Sequence, residues 1–437
     1  MRTMRALGYT GRFFVMGFLI SWFTMAYLLG RIGAAFLWRS RDREKKRAAI
    51  SALHGRILRR AMTRLGATFV KLGQVMSTRP HLLDPETIDE LRKLQDRLPA
   101  FPIASVRRIL VEDLGAPVEE RFAELHDKPI AAASVSQVHR ARLLDGREVA
   151  VKVLRPDVRK RVERDAAILG LFARIAALHP DVRLSDPVGH LREFVAGILD
   201  QTDLRLEAAN YEHFRVFFAD TEGVHFPAVY PELSAERVMT MELLLGTKLD
   251  ALPPGDHRVL AKRMQQTFLK MCFEDGFVHA DLHPGNMLLL ENGDLAIFDV
   301  GLVKHMSANV LVQAVDFTRC LAMGTTQDFV AHIKKFHSYQ GDVDWAALEK
   351  NLDGFIGKFR AQNVAELELG ELLGSILALG RRYRVRPLAE LALVMVAMVT
   401  AEGIGKQLNP HANLFEDTAA FLMPLLAKQA LGDASAA

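Results

Sequence analysis

The densest group of chemically useful side chains in this sequence lies between His279 and Asp299. Asp281 is followed five residues later by Asn286, and Asp299 lies thirteen residues beyond Asn286, just before a valine and a glycine. Phosphoryl transfer from ATP needs a carboxylate near the attacking hydroxyl or water, and oxygen ligands that hold Mg²⁺ on the phosphates. We therefore predict that Asp281 is the catalytic carboxylate and that Asn286 and Asp299 bind the metal.

The same segment supports a second hypothesis, because His279, Asp281 and His283 form an H-x-D-x-H run that is compatible with a divalent-metal hydrolase. Such a site needs further histidine or carboxylate ligands nearby, and it leaves Pro284-Gly285-Asn286 without a role. Taken singly, the two histidines are more simply explained as groups that fix the loop through hydrogen bonds.

Lys152 is the second candidate group. It closes the run Val149-Ala150-Val151-Lys152 on a predicted strand that leaves a turn at Asp145-Gly146. A lysine on a strand that otherwise faces a core is costly unless anions meet it. In protein kinases a lysine at this position meets the α- and β-phosphates of ATP and a glutamate from a helix. An aspartate–asparagine loop and an Asp-x-Gly follow it there, in the same order as here.

Upstream of Lys152, where a kinase has a glycine-rich loop, the sequence reads Ala131-Ala132-Ala133-Ser134-Val135-Ser136-Gln137. Alanine lacks the freedom of glycine at positive φ, so we expect this loop to be stiffer and its amides to be less free to wrap phosphates. The hydroxyls of Ser134 and Ser136 would supply part of the missing donors.

The hydrophobic pattern predicts the elements that position these groups. Apolar residues recur at helical spacing from Leu58 to Met76, which predicts one face of a long helix. Asp84-Pro85 predicts the start of a second helix, which Pro99 ends. Further predicted elements are strands at 138–143, 148–154, 237–242, 287–290 and 295–298, a helix at 256–275 that stops at Gly276, and helices throughout the chain beyond residue 303.

Composition limits the class of protein. The chain has 437 residues, of which 50% are hydrophobic and 25% charged, and this length suffices for about two or three domains with real cores. These values exclude a disordered chain, a collagen-like repeat and a small disulfide scaffold. The two cysteines, Cys272 and Cys320, lie far apart and outside any CxxC or Cys/His cluster, which indicates a reducing compartment and no structural zinc site.

The N-terminal segment predicts contact with a membrane. Residues 13–30 carry no charge, and a second apolar run follows to Trp38, so the segment is just long enough to cross a bilayer. Six Lys/Arg follow between residues 39 and 47, and the positive-inside rule therefore places the body of the protein on the cytoplasmic side. A hairpin or an interfacial helix that lies on the membrane without crossing it is the alternative.

The charge distribution points to the same kind of surface. Residues 1–60 hold 13 Lys/Arg and 2 Asp/Glu, whereas the rest of the chain has a net charge of −7. A basic arm on an acidic body favours anionic lipid over nucleic acid. The apolar run at 391–401 is too short to span a membrane and predicts a core helix.

Several ordered motifs resemble those of the ABC1/UbiB/ADCK family of atypical, kinase-like proteins over residues 50–425. The matching motifs are Lys71-Leu72-Gly73-Gln74 (the family's K-x-G-Q motif), the alanine-rich loop, Lys152, Glu207-Ala208-Ala209-Asn210, the block from His279 to Asn286, and Asp299. The resemblance implies an α+β, two-lobed protein-kinase-like fold with an N-terminal helical extension and a helix-rich C-lobe, preceded by the membrane-anchor segment.

The resemblance also implies roles for individual residues. Lys71 and Gln74 would project into the nucleotide cleft, where a protein substrate would otherwise lie. The implied catalytic residues are Asp281, Lys152, Glu207, Lys71 and Gln74. ATP would be bound by residues 131–137, Lys152 and Glu242, and Mg²⁺ by Asn286 and Asp299.

This sequence departs from the family pattern at two positions. The family's E-x-D motif reads Gln201-Thr202-Asp203 here, and an amide cannot pair with Lys71 as a full charge. The D-F-G motif reads Asp299-Val300-Gly301, which keeps the metal ligand but has a smaller packing residue. Glu163 is nearer to Lys152 in sequence than Glu207. Glu163 belongs, however, to a highly charged helix face of the kind that usually faces solvent. The resemblance favours Glu207 as the partner of Lys152.

On this resemblance we expect four segments. They are a membrane anchor at 1–48, a helical K-x-G-Q extension at 49–125, a kinase-like N-lobe at 126–245 and a helical C-lobe at 246–437. The expected function is that of a membrane-associated, ATP-binding atypical kinase or ATPase that supports isoprenoid quinone (ubiquinone) biosynthesis or lipid metabolism. The alternative is a nucleotide-gated scaffold or lipid-binding pseudokinase without useful phosphoryl transfer.

The expected partners follow from the same resemblance and from the basic N-terminal arm. They are membrane lipids or isoprenoid quinone precursors, together with quinone-biosynthesis proteins, and no nucleic acid. The expected location is the cytoplasmic face of the bacterial inner membrane, with the mitochondrial inner membrane as the alternative.

Overall fold

The computed structural model describes residues 43–77, 84–94, 99–178, 187–253, 255–339, 342–361, 369–386 and 389–412, with Gly17, Met25 and residues 417, 418, 420, 421 and 424. The chain divides into two compact units. The first comprises Met1–Ala209 and Ala228–Leu243, and the second comprises Asn210–Pro227 and Leu244–Ala437. The four-segment division expected from the sequence stays a prediction.

The first unit begins with helices. Helix α1 spans Arg43–Leu65 and α2 spans Ala67–Ser77, so the prediction of one long helix is wrong. Gly66 separates the two helices with a φ of +101°, a conformation that only glycine adopts readily. The predicted apolar face is nevertheless buried, because Met62, Leu65 and Phe69 lie in one cluster. Leu91, just inside α3 (Pro85–Arg92), packs into the same cluster.

An antiparallel sheet forms the centre of the first unit. Its strands are β1 (Phe122–Leu125), β2 (Ala131–Ala132), β3 (Ser136–Leu143), β4 (Glu148–Leu154) and β6 (Val238–Glu242), in the order β1-β3-β4-β6 with β2 on β3. Helix α4 (Ile103–Leu114) packs its buried residues into the core of this sheet. The predicted hairpin is present, and Gly146 in its turn has a φ of +93°.

Three further helices follow the hairpin. They are α5 (Val158–Ala176), α6 (Pro187–Asp200) and α7 (Leu204–Phe217). The division between the two units falls inside α7, between Ala209 and Asn210. The backbone N–H of Leu204, at the start of α7, donates to the carbonyl of Glu236 at 2.8 Å, which ties the beginning of this helix to the segment that leads into β6.

The second unit contains a small four-stranded sheet. Its strands are β5 (Val224–His225), β7 (Gly246–Lys248), β9 (Met287–Leu290) and β10 (Leu295–Ile297), in the order β5-β10-β9-β7. Helix α8 (Arg258–Lys270) continues as a π-helix over Met271–Asp275 and ends at Gly276, whose φ is +69°. The helix stop predicted at Gly276 is therefore confirmed.

Beyond residue 303 the prediction of helices throughout is wrong in part. Strand β11 (Val303–His305) pairs with β8 (Phe277–His279), and β12 (Ser338–Tyr339) pairs with β13 (Val385–Arg386). Strands of two or three residues are too short to produce a period in the sequence. The helices of this part are α9 (Ala308–Met323), α10 (Thr326–Phe336), α11 (Trp345–Ala361), α12 (Leu369–Arg382) and α13 (Ala389–Leu408). Short 3-10 turns lie at Val118–Glu120, Pro231–Leu233, Leu249–Ala251 and Pro284–Asn286.

The run at 391–401 lies inside α13, where Met395, Met398 and Ala401 are buried, as expected for a core helix. In the described part of the chain, every helix is too short or too polar to cross a membrane. The anchor predicted at 13–38 lies outside the described residues, except for Gly17 and Met25.

Gly66 gives a first testable prediction. Alanine at this position would have to adopt the left-handed region, and Gly66→Ala should therefore destabilise the protein by about 1–2 kcal/mol. Gly170 is the matched control, because it lies inside α5 and a Cβ there meets nothing within 4 Å. Gly170→Ala should stabilise by about 0.5–1 kcal/mol through helix propensity. Thermal unfolding followed by circular dichroism measures both shifts, and an unfolding temperature for Gly66→Ala at or above that of the parent would contradict this account.

Candidate functional site

Lys152 lies on β4, whose residues from Val149 to Leu154 are all buried. Its ammonium group makes two short contacts with the carboxylate of Glu207 on α7, at 2.6 Å to Oε1 and 2.9 Å to Oε2. Both side chains are almost fully buried, with 9% and 5% exposed. Glu163, the nearer glutamate in sequence, instead faces Arg159 at 3.5 Å on an exposed helix surface. The structure thus brings Lys152 to the glutamate that the resemblance favoured.

The alanine-rich segment is bonded to its surroundings through backbone hydrogen bonds and through the side chain of Arg155. Ala131 and Ala132 form β2, and the Ala133 N–H donates to the carbonyl of Ser136 at 2.8 Å. The guanidinium of Arg155 donates to the Ala133 carbonyl from Nε at 3.0 Å and from Nη2 at 2.9 Å. The segment therefore forms a hydrogen-bonded turn, and its stiffness relative to a glycine-rich loop stays a prediction.

The other residues of this segment are buried. Ser134, Val135 and Ser136 are each less than 10% exposed, and the Arg155 N–H donates to the Val135 carbonyl at 2.8 Å. The side chain of Gln137 accepts from the N–H of Phe101 at 3.0 Å and donates to its carbonyl at 3.3 Å. The amide of Gln137 thus holds the segment before α4, a use that sequence reasoning missed.

Two of the remaining predicted residues of the first unit, Glu242 and Gln74, bond to backbone groups. Glu242 ends β6, and its carboxylate accepts from the N–H of Ala228 at 3.2 Å. The side chain of Gln74, on α2, donates to the carbonyl of Leu94 at 3.2 Å, and Lys71 on the same helix is 9% exposed. Gln201 lies in the turn after α6 and is half-buried.

In the second unit, Asp281 and Asn286 belong to one tightly bonded loop. Asn286 is 6% exposed, and its Nδ2 donates to the carbonyl of Asp281 at 3.2 Å. The carbonyl of Asn286 accepts from the N–H of Phe298 at 3.0 Å, one residue before Asp299. Asn286 therefore bonds both to the loop that carries the predicted catalytic carboxylate and to the segment that leads into the second predicted metal ligand.

The two histidines of the loop bond to its backbone. Nδ1 of His279 accepts from the N–H of Asp281 at 3.2 Å, and Nδ1 of His283 accepts from the N–H of Gly285 at 3.1 Å. Among the described residues, a group of His, Cys or carboxylate ligands at metal-binding separation occurs at Asp316, Cys320 and His332, and not at 279–283. The structure therefore gives no support to a hydrolase metal site in this loop.

Asp316, Cys320 and His332, on α9 and α10, belong to an ion-pair network. Arg319 donates to Asp316 at 2.8 and 3.1 Å and lies 3.4 Å from Sγ of Cys320, so its guanidinium already supplies the positive charge. Burial opposes ionisation of Asp316, but hydrogen bonds from His332 and Arg319 outweigh it and hold the pKa of this carboxyl below its usual value. Burial raises the pKa of both cysteine thiols, that of Cys320 to about 11. Neither thiol is therefore a thiolate at neutral pH.

Asp299 has an unusual backbone conformation. Its φ is +61°, and its N–H donates to the hydroxyl of Tyr211 at 2.7 Å. The next carbonyl, that of Val300, accepts from Nδ2 of Asn210 at 2.9 Å. Sequence reasoning quoted Asn210 without a role and missed Tyr211. The available signal was their position on α7, three and four residues after Glu207.

The buried pair yields a second prediction. Lys152→Met leaves Glu207 without its main cation inside the protein, and this should destabilise the first unit by about 3–5 kcal/mol. The double variant Lys152→Met/Glu207→Gln removes both charges. Its unfolding temperature should regain at least half of the decrease that Lys152→Met causes relative to the parent. Thermal unfolding of the parent and the two variants provides the measurement. Equal unfolding temperatures for the parent and Lys152→Met would show that the pair is not buried as described.

Comparison with known proteins shows which family this chain resembles. The family model of the ABC1 atypical kinase-like domain matches residues 93–330, and that of the UbiB helical domain matches residues 352–413. A relative named probable protein kinase UbiB, from Vibrio cholerae serotype O1, is 33% identical over 391 residues, which cover 85% of this chain and 70% of the relative. An uncharacterized protein of Synechocystis sp. is 34% identical over 386 residues, which cover 86% of this chain and 56% of that protein.

A solved structure supports the fold. Rv3197 from Mycobacterium tuberculosis, determined in complex with erythromycin, is similar with a TM-score of 0.51 and 22% identity, covering 77% of this chain and 87% of that one. The mixed α/β kinase-like fold, with a β-sheet lobe and a high helical content, is thereby confirmed. The matches to the family models and to the curated relatives confirm the resemblance found in the motifs, and the chain belongs to the ABC1/UbiB family of atypical kinase-like proteins.

Proposed function

We propose that this protein is an ATP-dependent atypical kinase or ATPase of the ABC1/UbiB type. The main observation that supports this proposal is the buried Lys152–Glu207 pair. Burying an ammonium group in the interior of a sheet costs several kcal/mol, and an apolar residue would pack there at no such cost. A lysine held by a helix glutamate is the arrangement with which kinases bind the α- and β-phosphates of ATP.

The donor set of the second unit fits Mg²⁺. Asn286 and Asp299 offer amide and carboxylate oxygens, the ligands that this hard cation prefers. Because Nδ2 of Asn286 donates to the Asp281 carbonyl, the Oδ1 atom is the part of this side chain left to bind a cation. When bound, Mg²⁺ supplies positive charge beside the phosphate oxygens. Asp281 orients the attacking hydroxyl or water, and Lys152 neutralises phosphate charge.

The proposed setting is the cytoplasmic face of a bacterial inner membrane, in isoprenoid quinone (ubiquinone) biosynthesis or lipid metabolism. The name of the UbiB relatives and the basic N-terminal 60 residues support this part of the proposal. The partners would be membrane lipids or isoprenoid quinone precursors, and quinone-biosynthesis proteins. The roles of Lys71, Gln74, Glu242 and the alanine-rich segment in ATP binding, and the four-segment organisation, belong to the same proposal.

A second candidate is a nucleotide-gated scaffold without useful phosphoryl transfer. The turn at Ala133, pinned by Arg155, and the amide of Gln201 in place of a carboxylate favour it. Phosphate release measured with and without liposomes that contain anionic lipid separates the two functions. An enzyme releases phosphate catalytically in at least one condition, whereas a scaffold binds MgATP and releases none.

Asp281 provides the third prediction. Asp281→Asn removes the carboxylate near the attacking group, and ATP turnover should fall by about 10²–10⁴-fold. The MgATP concentration that gives half-maximal stabilisation against heat should stay within twofold of the parental value. Asp220→Asn, an exposed aspartate in the turn after α7, is the matched control and should keep the parental turnover.

Two results would count against the proposed function. Parental turnover in Asp281→Asn would exclude the assigned catalytic carboxylate. Absence of any stabilisation of the parent protein by MgATP would exclude ATP binding itself.

A further inference from the structure

The Asp299 segment is held by two neighbouring side chains of α7. The hydroxyl of Tyr211 accepts the N–H of Asp299 at 2.7 Å, and Asn210 donates to the carbonyl of Val300 at 2.9 Å. Tyr211 and Val300 are fully buried. Two consecutive residues of α7 thus bind two consecutive residues of the Asp299 segment, one through its N–H and the other through its carbonyl. All four residues lie in the second unit.

This pair of bonds acts on a residue in a sparsely populated backbone conformation. The φ of Asp299 is +61°, in the left-handed region, which most residues with a side chain enter at a cost of about 1–2 kcal/mol and aspartate at a smaller cost. A glycine would adopt it freely but would supply no carboxylate. Because the direction of the side chain follows from φ, relaxation of this backbone would move the carboxylate of Asp299.

We propose that Asn210 and Tyr211 are positioning residues that lock Asp299 in the conformation in which its carboxylate binds the divalent cation of the nucleotide. This inference rests on the proposed function, which supplies the identity of the cation, whereas the two hydrogen bonds are observed directly. Groups that orient a metal ligand without touching the metal typically change metal affinity by about 10–100-fold when they are removed. The two side chains therefore set the cation affinity, whereas the affinity for the nucleotide at saturating cation depends on other groups.

The variant that tests this is Tyr211→Phe, which removes the hydroxyl and keeps the buried ring. Tyr383→Phe is the control, because the hydroxyl of this half-buried tyrosine also accepts one hydrogen bond, in its case from the Asn351 side chain at 2.7 Å. In thermal-shift titrations with MgADP, the Mg²⁺ concentration for half-stabilisation should rise about tenfold in Tyr211→Phe. The ADP concentration for half-stabilisation at saturating Mg²⁺ should change less than twofold, and Tyr383→Phe should match the parent in both.

A second readout needs no nucleotide. Hydrogen exchange of a peptide that covers residues 297–302 should be at least about tenfold faster in Tyr211→Phe than in the parent and in Tyr383→Phe, because the Asp299 amide loses its acceptor. Asn210→Ala removes the other bond and should raise the Mg²⁺ requirement in the same direction, which keeps the test decisive if Tyr211→Phe fails to fold.

The outcomes separate the positioning role from the proposed function. Parental exchange and a parental Mg²⁺ requirement in folded Tyr211→Phe would overturn the positioning role. A parent protein that ADP stabilises equally with and without Mg²⁺ would overturn the metal site of the proposed function, and the exchange measurement would then still decide whether the two side chains hold the segment.

Discussion

A charged ammonium group inside the sheet of the first unit determines how helix α7 must pack against that sheet. Strand β4 is buried along almost its whole length, and Lys152 shares that burial. Such a charge is tolerated only beside an opposite charge with good hydrogen-bond geometry. Helix α7 must therefore present Glu207 to β4, and the bond from Leu204 to Glu236 fixes the start of that helix.

Further along its length, helix α7 also binds the Asp299 segment. It passes from the first unit into the second between Ala209 and Asn210, and the next two side chains bind the backbone of the Asp299 segment. Asn286 bonds to the same segment through its carbonyl and to Asp281 through its amide. Such hydrogen bonds suit the proposed function, because catalysis of phosphoryl transfer rests on positioning and electrostatics.

Much of this architecture could be predicted from the sequence, because it follows from local patterns. Strands β4 and β9 have the predicted bounds, and α8 with its π-helical end stops at the predicted Gly276. The alternation of β-branched residues, the turn residues and a positive-φ glycine are all signals within a few residues. The partner of Lys152 was favoured only through the family resemblance, since Glu207 lies 55 residues away.

What could not be predicted depends on single atoms or on distant partners. Apolar spacing continues through Gly66, although one left-handed residue divides the helix there. The hydroxyl of Tyr211 and the N–H of Asp299 are 88 residues apart in the chain, and no local pattern marks a side chain that binds distant backbone. The contact between the Gln137 amide and Phe101 could not be predicted either, because the two residues lie 36 positions apart in the chain.

Isothermal titration of ATP and of adenosine into the parent protein and into Lys152→Met/Glu207→Gln shows whether the ammonium group on β4 binds phosphate, because this variant loses the cation together with its carboxylate. If Lys152 binds phosphate, ATP should bind the variant at least about tenfold more weakly, as expected when a charge-assisted contact to phosphate is lost. Adenosine, which has no phosphate, should bind both proteins equally. Unchanged ATP affinity in the folded variant would show that Lys152 does not bind phosphate and that the pair is a structural feature alone.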